Sequence, residues 1–328
     1  MKFVAICGLL LAVNSSLSGQ GPERTPKTAT EAQREMDAVW RREHSASTLR
    51  NTALHSAALK EALREFQNGD TPFGGKGSVS FGEFLSPSGQ YFVAVHLALP
   101  ALPEVRPGMA ATLFGTVERN DGTLAASFEE KAQVAESRGQ LYLEKSLALP
   151  PGDYKATFGV AIGARPVVIE RIDLDALPRS LIHASISRLI LSRDVQVMSE
   201  SQEPTEPFAF GGTRVVPLGT TALNPSEPLW IFVEIFNPAL APDGTPRIQM
   251  KYEILQAGSR RAGAPMVPVE ATALKGFPAH YGIGDTIDVS RLAPSRYDIS
   301  VTVSDKVTGQ SWSLAGDFRI GSATPPDL

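Results

Sequence analysis

The chain is nearly free of cysteine, with Cys7 alone among its 328 residues. Because Cys7 lies near the N-terminus, inside a segment that we expect to be removed, nothing remains for a disulfide scaffold, a thiolate metal site or a cysteine nucleophile. Histidine is also scarce, and no His-x-x-x-His or His-Glu-x-x-His spacing occurs, which disfavours a zinc hydrolase. The five histidines are His44, His55, His96, His183 and His280.

Phosphate-binding and nucleophile motifs are missing as well. Residues 73–77, FGGKG, contain a lysine among glycines but lack the spacing of a phosphate-binding loop, so we interpret them as a hinge. Residues 77–82, GSVSFG, lack the G-x-S-x-G spacing of a hydrolase and are interpreted as a turn before a strand.

Paired carboxylates are the remaining chemical candidates, since glycosidases need two acids and calcium binds oxygen ligands. No EF-hand pattern is present, and acidic pairs in loops are usually solvated. We therefore predict no catalytic, cofactor-binding or metal-binding residue, no cofactor and no enzymatic activity. The pairs considered are Glu129 with Glu130, Asp173 with Asp175, and Asp285 with Asp288.

The N-terminus has the pattern of a secretory signal peptide, predicted over residues 1–18. Lys2 precedes an apolar run at 3–13, and the sequence Ser-Leu-Ser at 16–18 suits cleavage. That run is too short to span a membrane, which takes about 20 apolar residues. The net charge of −4 is mild, and the basic residues are scattered, so no nucleic acid is expected. These features predict a periplasmic or extracellular protein without a membrane span.

Residues 19–73 are predicted to form a polar linker and a helical segment. Residues 28–66 contain no proline or glycine, with a capping start at Thr30 and Gln33 and a stop at Asn68-Gly69. The sequence leaves open whether this helix packs on the domain that follows. Its apolar stripe is Leu49, Ala53, Ser56, Leu59, Leu63 and Phe66.

From residue 74 onward, short alternating apolar runs separated by turn residues predict a mainly β protein. We expect a first sandwich over 74–198, a linker over 199–207, a second sandwich over 208–322 and a tail over 323–328. A hairpin turn is predicted at 120–122, and 185–197 is expected to close the first sandwich. The clearest strands are predicted at 91–99, 111–118, 140–147, 154–162 and 167–172.

Two segments of the first half have counterparts in the second. Residues 91–97 correspond to 229–235, and 149–160 correspond to 292–303. We therefore predict two tandem immunoglobulin-like or transthyretin-like sandwiches. Tyr154 and Tyr297 follow proline-containing corners, and each is expected to bury its ring while its hydroxyl binds a loop carbonyl.

The order of an apolar strand, an L-x-P-x-x-Y strand and a D-x-x-T-G hairpin at 305–309 resembles secreted bacterial GWxTD-domain and von Willebrand factor A-domain proteins. Residues 186–191, followed by PFAFGG at 207–212 and VVP at 215–217, resemble the join in those proteins. The resemblance covers 74–321 and concerns their accessory sandwiches, because neither a Gly-Trp-x-Thr-Asp stretch nor an Asp-x-Ser-x-Ser motif occurs. It implies no catalytic residues.

The sequence thus favours an exported, non-enzymatic binding or structural module of the bacterial cell envelope, with an unknown envelope protein or polysaccharide as partner. One alternative is a periplasmic chaperone or assembly factor that uses sheet-edge addition. It would need an exposed edge strand and a basic residue in the cleft between the sandwiches. The other is a carbohydrate-binding accessory protein or hydrolase, recognisable by a row of surface aromatics or by converging carboxylates.

Overall fold

Strands dominate the computed structural model of the protein, as the alternating sequence predicts. It describes residues 53–69, 76–85, 91–176, 184–198, 206–210, 213–219, 222–258, 262–264, 269–270, 272–273 and 280–321. The predicted signal peptide, the start of the predicted helix, most of the predicted linker and the tail lie outside these residues. All described residues belong to one compact unit that spans 40–328.

The elements of the described residues are one helix and two groups of strands. Helix α1 spans Ala57–Gln67. The first group is β1 Ser78–Leu85, β2 Tyr91–Ala98, β3 Ala110–Arg119, β4 Leu124–Gln133, β5 Ala135–Ser137, β6 Gln140–Leu147, β7 Gly152–Ile162 and β8 Arg165–Ala176. The second group is β9 Ser185–Ile186, β10 Ile190–Val197, β11 Ala209–Phe210, β12 Thr213–Pro217, β13 Leu229–Phe236, β14 Ile248–Gln256, β15 Ala262–Ala264, β16 Val269–Glu270, β17 Thr272–Ala273, β18 His280–Ile287, β19 Ser295–Asp305 and β20 Ser311–Ile320.

The first group forms two antiparallel sheets. Sheet A has the order β1-β2-β6-β5 and sheet B the order β4-β3-β7-β8. Alternate residues of each strand point to one face, so Val93 and Val95 of sheet A meet Phe128, Phe158 and Val160 of sheet B in one apolar core. Sheets A and B are the first sheet pair.

The second group repeats this arrangement. Sheet C has the order β11-β12-β10-β13-β18-β17, with β9 also paired to β13, and sheet D has the order β15-β14-β19-β20, with β16 paired to β14. Ile231 and Val233 of sheet C pack against Ile299, Val301 and Val303 of sheet D. Sheets C and D are the second sheet pair. The order β1-β2-β6-β5 matches β10-β13-β18-β17, and β4-β3-β7-β8 matches β15-β14-β19-β20.

One strand assignment from the sequence is wrong. Residues 185–197 were expected to close the first sandwich, but β9 and β10 both pair with β13, and β10 also pairs with β12. They therefore belong to the second sheet pair. An alternating pattern predicts that a strand exists but does not fix which strand lies beside it.

Sheet A is covered on both faces. Every residue of β2 is buried. Val93 and Val95 point to sheet B, whereas Phe92 and Ala94 point the other way and pack against Ile190 of sheet C. Phe84 and Phe208 meet edge to face in the same layer, with ring centroids 5.6 Å apart. The order of layers is therefore B, A, C, D.

Helix α1 covers the outer face of sheet B, which answers the question that the sequence left open. Leu59 and Leu63 pack against Phe114 and Ile169. Ser56 is the N-cap, and its hydroxyl accepts from the amide of Leu59. The carboxylate of Glu129 on β4 accepts from the amides of His55 and Ser56 at 2.9 and 2.8 Å, which fixes the start of the helix to sheet B.

The two ends of α1 illustrate what local sequence could predict. The predicted stop at Asn68-Gly69 is confirmed, since Asn68 is the C-cap and Gly69 has a φ of +83°. Ala53 of the predicted stripe is exposed, and Leu54 is buried instead, because the helix begins only at Ala57.

The two tyrosine corners are confirmed. The Tyr154 hydroxyl donates to the carbonyl of Pro150 at 2.7 Å, and the Tyr297 hydroxyl donates to the carbonyl of Ala293 at 2.8 Å. Both residues are 3% exposed, so the hydrogen-bond partner of each hydroxyl is a carbonyl four residues earlier and not water.

Removing either hydroxyl should destabilise the protein. Tyr154→Phe and Tyr297→Phe should each lower the free energy of unfolding by about 1 kcal/mol, because a loop carbonyl loses its partner. The matched control is Tyr281→Phe, since the Tyr281 hydroxyl has no hydrogen bond among the described residues. Urea denaturation measures the change, and equal stability of all three variants would contradict the assignment.

Candidate functional site

A buried cluster of charged side chains lies where sheets A and C meet. Nδ1 of His96 lies 2.8 Å from Oε1 of Glu144, and the guanidinium of Arg214 on β12 binds the other oxygen of that carboxylate. The His96 ring stacks on Tyr142, with centroids 4.7 Å apart. Glu206 lies 3.6 Å from Arg214 on its other side. One carboxylate from β6 thus joins β2 of the first sheet pair to β12 of the second.

The charges of this cluster compensate one another. Burial opposes the charge on Arg214, but Glu144, Tyr142 and Glu206 together outweigh it and raise the pKa of Arg214 above its usual value. Burial also raises the pKa of Tyr142. The Glu144 side chain is 5% exposed, and the charge of Arg214 compensates a carboxylate that has left water.

The Glu144–His96 pair is built for structure. A carboxylate that orients a histidine also occurs in hydrolytic triads, where the histidine must reach a nucleophile and a substrate. Nε2 of His96 is buried and has no hydrogen-bond partner among the described residues. Since His96 is wholly buried, a substrate cannot reach it.

A second polar contact joins the sheet pairs at the β5–β6 turn. The Ser137 hydroxyl donates to the Asp194 carboxylate at 2.8 Å, and Arg138 lies 3.6 Å from the same carboxylate. Arg193 is the extra residue of a β-bulge in β10, and its buried guanidinium donates to the carbonyl of Arg138. Burial lowers the pKa of Arg193.

A third contact closes the junction near β1. Nε of Arg188 lies 3.0 Å from the fully buried Glu83 carboxylate, and its Nη2 lies 3.4 Å from Asp175. The guanidinium also lies over the ring of Phe81, 4.6 Å from its centroid. With three polar contacts and an apolar layer between them, sheets A and C are held in one relative position.

An open groove lies beside this junction and encloses about 640 Å³. It runs between β1 of sheet A and β20 of sheet D and is called the β1–β20 groove. Its lining residues are Lys76, Ser78, Ser80, Phe81, Leu189, Ile190, Leu191, Phe208, Pro217, Leu218, Gly219, Arg296, Gly316, Asp317, Phe318 and Arg319.

The groove is bounded by two strand edges. Among the described residues, β1 pairs only with β2. Strand β20 pairs with β19, and at its end also with Leu223, whose amide donates to the carbonyl of Arg319 and whose carbonyl accepts from the amide of Gly321. Consecutive residues 316–319 all line the groove, although their side chains alternate between faces. The same holds for Ser80 and Phe81. Since residues from both faces reach it, the backbone edges of β1 and β20 turn toward the groove.

The rim of the groove is basic and its floor apolar. Arg296 and Arg319 are direct partners across β19 and β20. Nε of Arg296 lies 3.3 Å from Asp317. Lys76 and Arg319 are exposed and form no ion pair among the described residues. The floor contains the half-buried side chains of Leu189, Leu191 and Leu218.

The carboxylate pairs considered from the sequence do not form acid–base pairs. Glu129 holds helix α1, whereas Glu130 binds Lys145. Asp175 binds Arg188, and Asp173 is exposed.

The third pair is likewise divided between two local roles. Asp285 accepts from the amide of Thr286, whereas Asp288 accepts from the amide of Ser290. Within the described ranges, no group of three His, Cys, Asp or Glu side chains is placed to hold a metal.

Of the histidines, His44 and His183 lie outside the described residues, and so does the side chain of His280. His55 is exposed and donates its amide to Glu129. His96 is buried, and its Nδ1 is satisfied by the carboxylate of Glu144. Phe92, Ala94 and Ala98 lie on the same face of β2 as His96, and these apolar neighbours were the signal that this face is covered.

Comparison with known proteins gives no family. No protein-family model matches the chain, and no curated protein matches its sequence. In the part of the chain that is described, no helix has the length and hydrophobicity needed to cross a membrane.

Loss of Arg214 should weaken the junction of the sheets strongly. In Arg214→Ala the buried carboxylate of Glu144 keeps His96 as its only partner among the described residues, and the free energy of unfolding should fall by about 3 kcal/mol. The control is Arg247→Ala, which breaks an ion pair whose two side chains are 54% and 53% exposed. It should change little. Guanidinium denaturation compares them, and equal losses would show that the Glu144 network does not stabilise the junction.

Proposed function

We propose that the protein is an exported, non-enzymatic binding module of the bacterial cell envelope and that its ligand site is the β1–β20 groove. The observation that carries the proposal is the groove itself, which has an apolar floor and a basic rim and is lined by the open edge of β1 and by the edge of β20 that is open before Arg319. Its volume of about 640 Å³ lies within the range of roughly 300–1,000 Å³ that is usual for ligand sites.

The architecture supports this function by making the groove rigid. In the proposal, the two sheet pairs are tandem immunoglobulin-like sandwiches, an interpretation supported by their matching strand order. Their junction is fixed by the contacts of Glu144, Asp194 and Glu83. A groove that is already formed binds without first ordering its walls, which lowers the entropic cost of association.

A second candidate is a chaperone or assembly factor that accepts a partner strand by sheet-edge addition. The open edge of β1 and the part of the β20 edge before Arg319 favour it, as do Lys76 and Arg319 at the groove between the sheet pairs. Main-chain hydrogen bonds to an unpaired edge supply affinity in such complexes, while side-chain pockets supply specificity. Under this candidate the groove is again the contact site, but the partner is a strand of another protein.

Filling the groove should abolish binding. Random peptides displayed on phage and soluble envelope glycans are both tested on the wild-type chain, on Ser80→Trp and on Arg319→Trp. Arg319→Trp alters only an exposed rim residue and so tests the site even if Ser80→Trp misfolds. Arg119→Trp, at an exposed position beside the β3–β4 turn, is the control.

Ligands that bind the wild type and Arg119→Trp but not the groove variants would support the proposal. Ligands that bind all variants equally, or turnover of any glycan, would overturn it. If glycans alone depend on the groove, the sheet-edge candidate fails while the binding module stands.

A further inference from the structure

The two edges of the groove define the shape of what can fill it. An unpaired edge presents amide and carbonyl groups in a row, and an extended chain satisfies them with least distortion. Residues 316–319 of β20 contribute four consecutive positions to the groove, and the carbonyl of the last, Arg319, is already bound by the amide of Leu223, so the open edge lies before it. At about 3.3 Å per residue, they span about 13 Å. The groove therefore matches an extended segment of about four to six residues.

The two sides of such a segment would meet different surfaces. In an extended chain, alternate side chains point in opposite directions. One set would face the apolar floor of Leu189, Leu191 and Leu218, and the other would face the rim with Lys76 and Arg319. The segment that fits both surfaces alternates apolar side chains with side chains that suit a basic rim.

The charges of the rim decide the sign of the second set. Asp317 forms an ion pair with Arg296. Arg319 lies directly opposite Arg296 in the pairing of β19 with β20, so two guanidinium groups are neighbours there. Like charges directly opposite in a sheet are unfavourable, and a carboxylate placed between them relieves the repulsion. Near Lys76, the Glu170 carboxylate accepts from the amide of Gly77 at 2.6 Å and is attracted by the Lys76 ammonium, so among the described residues the charge of Lys76 is compensated in part and that of Arg319 is not. The chain as a whole carries a net charge of −4, so the basic rim is a local exception.

We propose that the β1–β20 groove binds an extended peptide segment of a partner protein in which acidic and apolar residues alternate. This inference rests on the proposed function above and specifies its ligand. The backbone of the segment pairs with an open edge, its apolar side chains enter the floor, and its carboxylates bind Lys76 and Arg319. The chemistry of recognition is thus that of an added acidic strand.

The test uses two capped hexapeptides, one of alternating valine and glutamate and one of alternating valine and lysine. Their affinities for the full chain are measured by fluorescence anisotropy at low and high salt. We expect the glutamate peptide alone to bind, and its affinity to fall as salt screens the rim. Lys76→Glu and Arg319→Glu should each weaken it by about tenfold.

Matched charge reversals away from the groove are the controls. Lys306→Glu, in the exposed turn between β19 and β20, and Arg119→Glu change the net charge equally but should leave affinity unchanged. Equal binding of the lysine peptide, or equal effects of rim and control reversals, would overturn the inference. Failure of both peptides to bind would also overturn it.

The phage selection separates this failure from that of the proposed function. If selected binders depend on the groove but lack acidic residues, the inference is wrong and the binding module stands. If no binder depends on the groove, both fail, and the charges of Lys76 and Arg319 serve only to keep the open edges from pairing with other chains.

Discussion

The structure depends on the burial of sheet A on both faces. A sheet of an ordinary sandwich has one apolar face and one solvated face, but β2 is buried along its whole length because sheet C covers the face that water would otherwise reach. Once this face is covered, Glu144 leaves water, and it is retained only because Arg214 and His96 bind it. The junction of sheets A and C is therefore stable only when its apolar side chains are packed and its buried charges are compensated.

The junction also explains the groove. Gly219 follows β12 where sheet C passes close to sheet A, and a β-carbon there would lie 2.6 Å from that of Ala98. Only glycine allows this approach, which brings Leu218 beside the start of β1. Residues of β1 in sheet A and of β20 in sheet D both line the groove beside this junction. The groove of the proposed function thus arises from the way two sheet pairs meet, without a motif in either.

Local features were predictable from the sequence, and long-range ones were not. The hairpin at 120–122 was predicted because asparagine, aspartate and glycine favour positive φ, and Gly122 has a φ of +82°. The tyrosine corners were predicted because donor and acceptor lie four residues apart. The partner of β10 was not, since alternation carries no information about the neighbouring strand. The groove was missed because Lys76, Leu189 and Arg319 are far apart in sequence.

The central claim is that the two sheet pairs form one rigid body, so that the groove exists before its ligand binds. Spin labels at Leu124→Cys on β4 and Val307→Cys in the β19–β20 turn, both exposed positions, report on it directly. A Cys7→Ser background leaves no other thiol in the chain. Double electron–electron resonance should give a single narrow distance distribution between the labels. A broad distribution, as expected for two domains that move independently, would contradict the account.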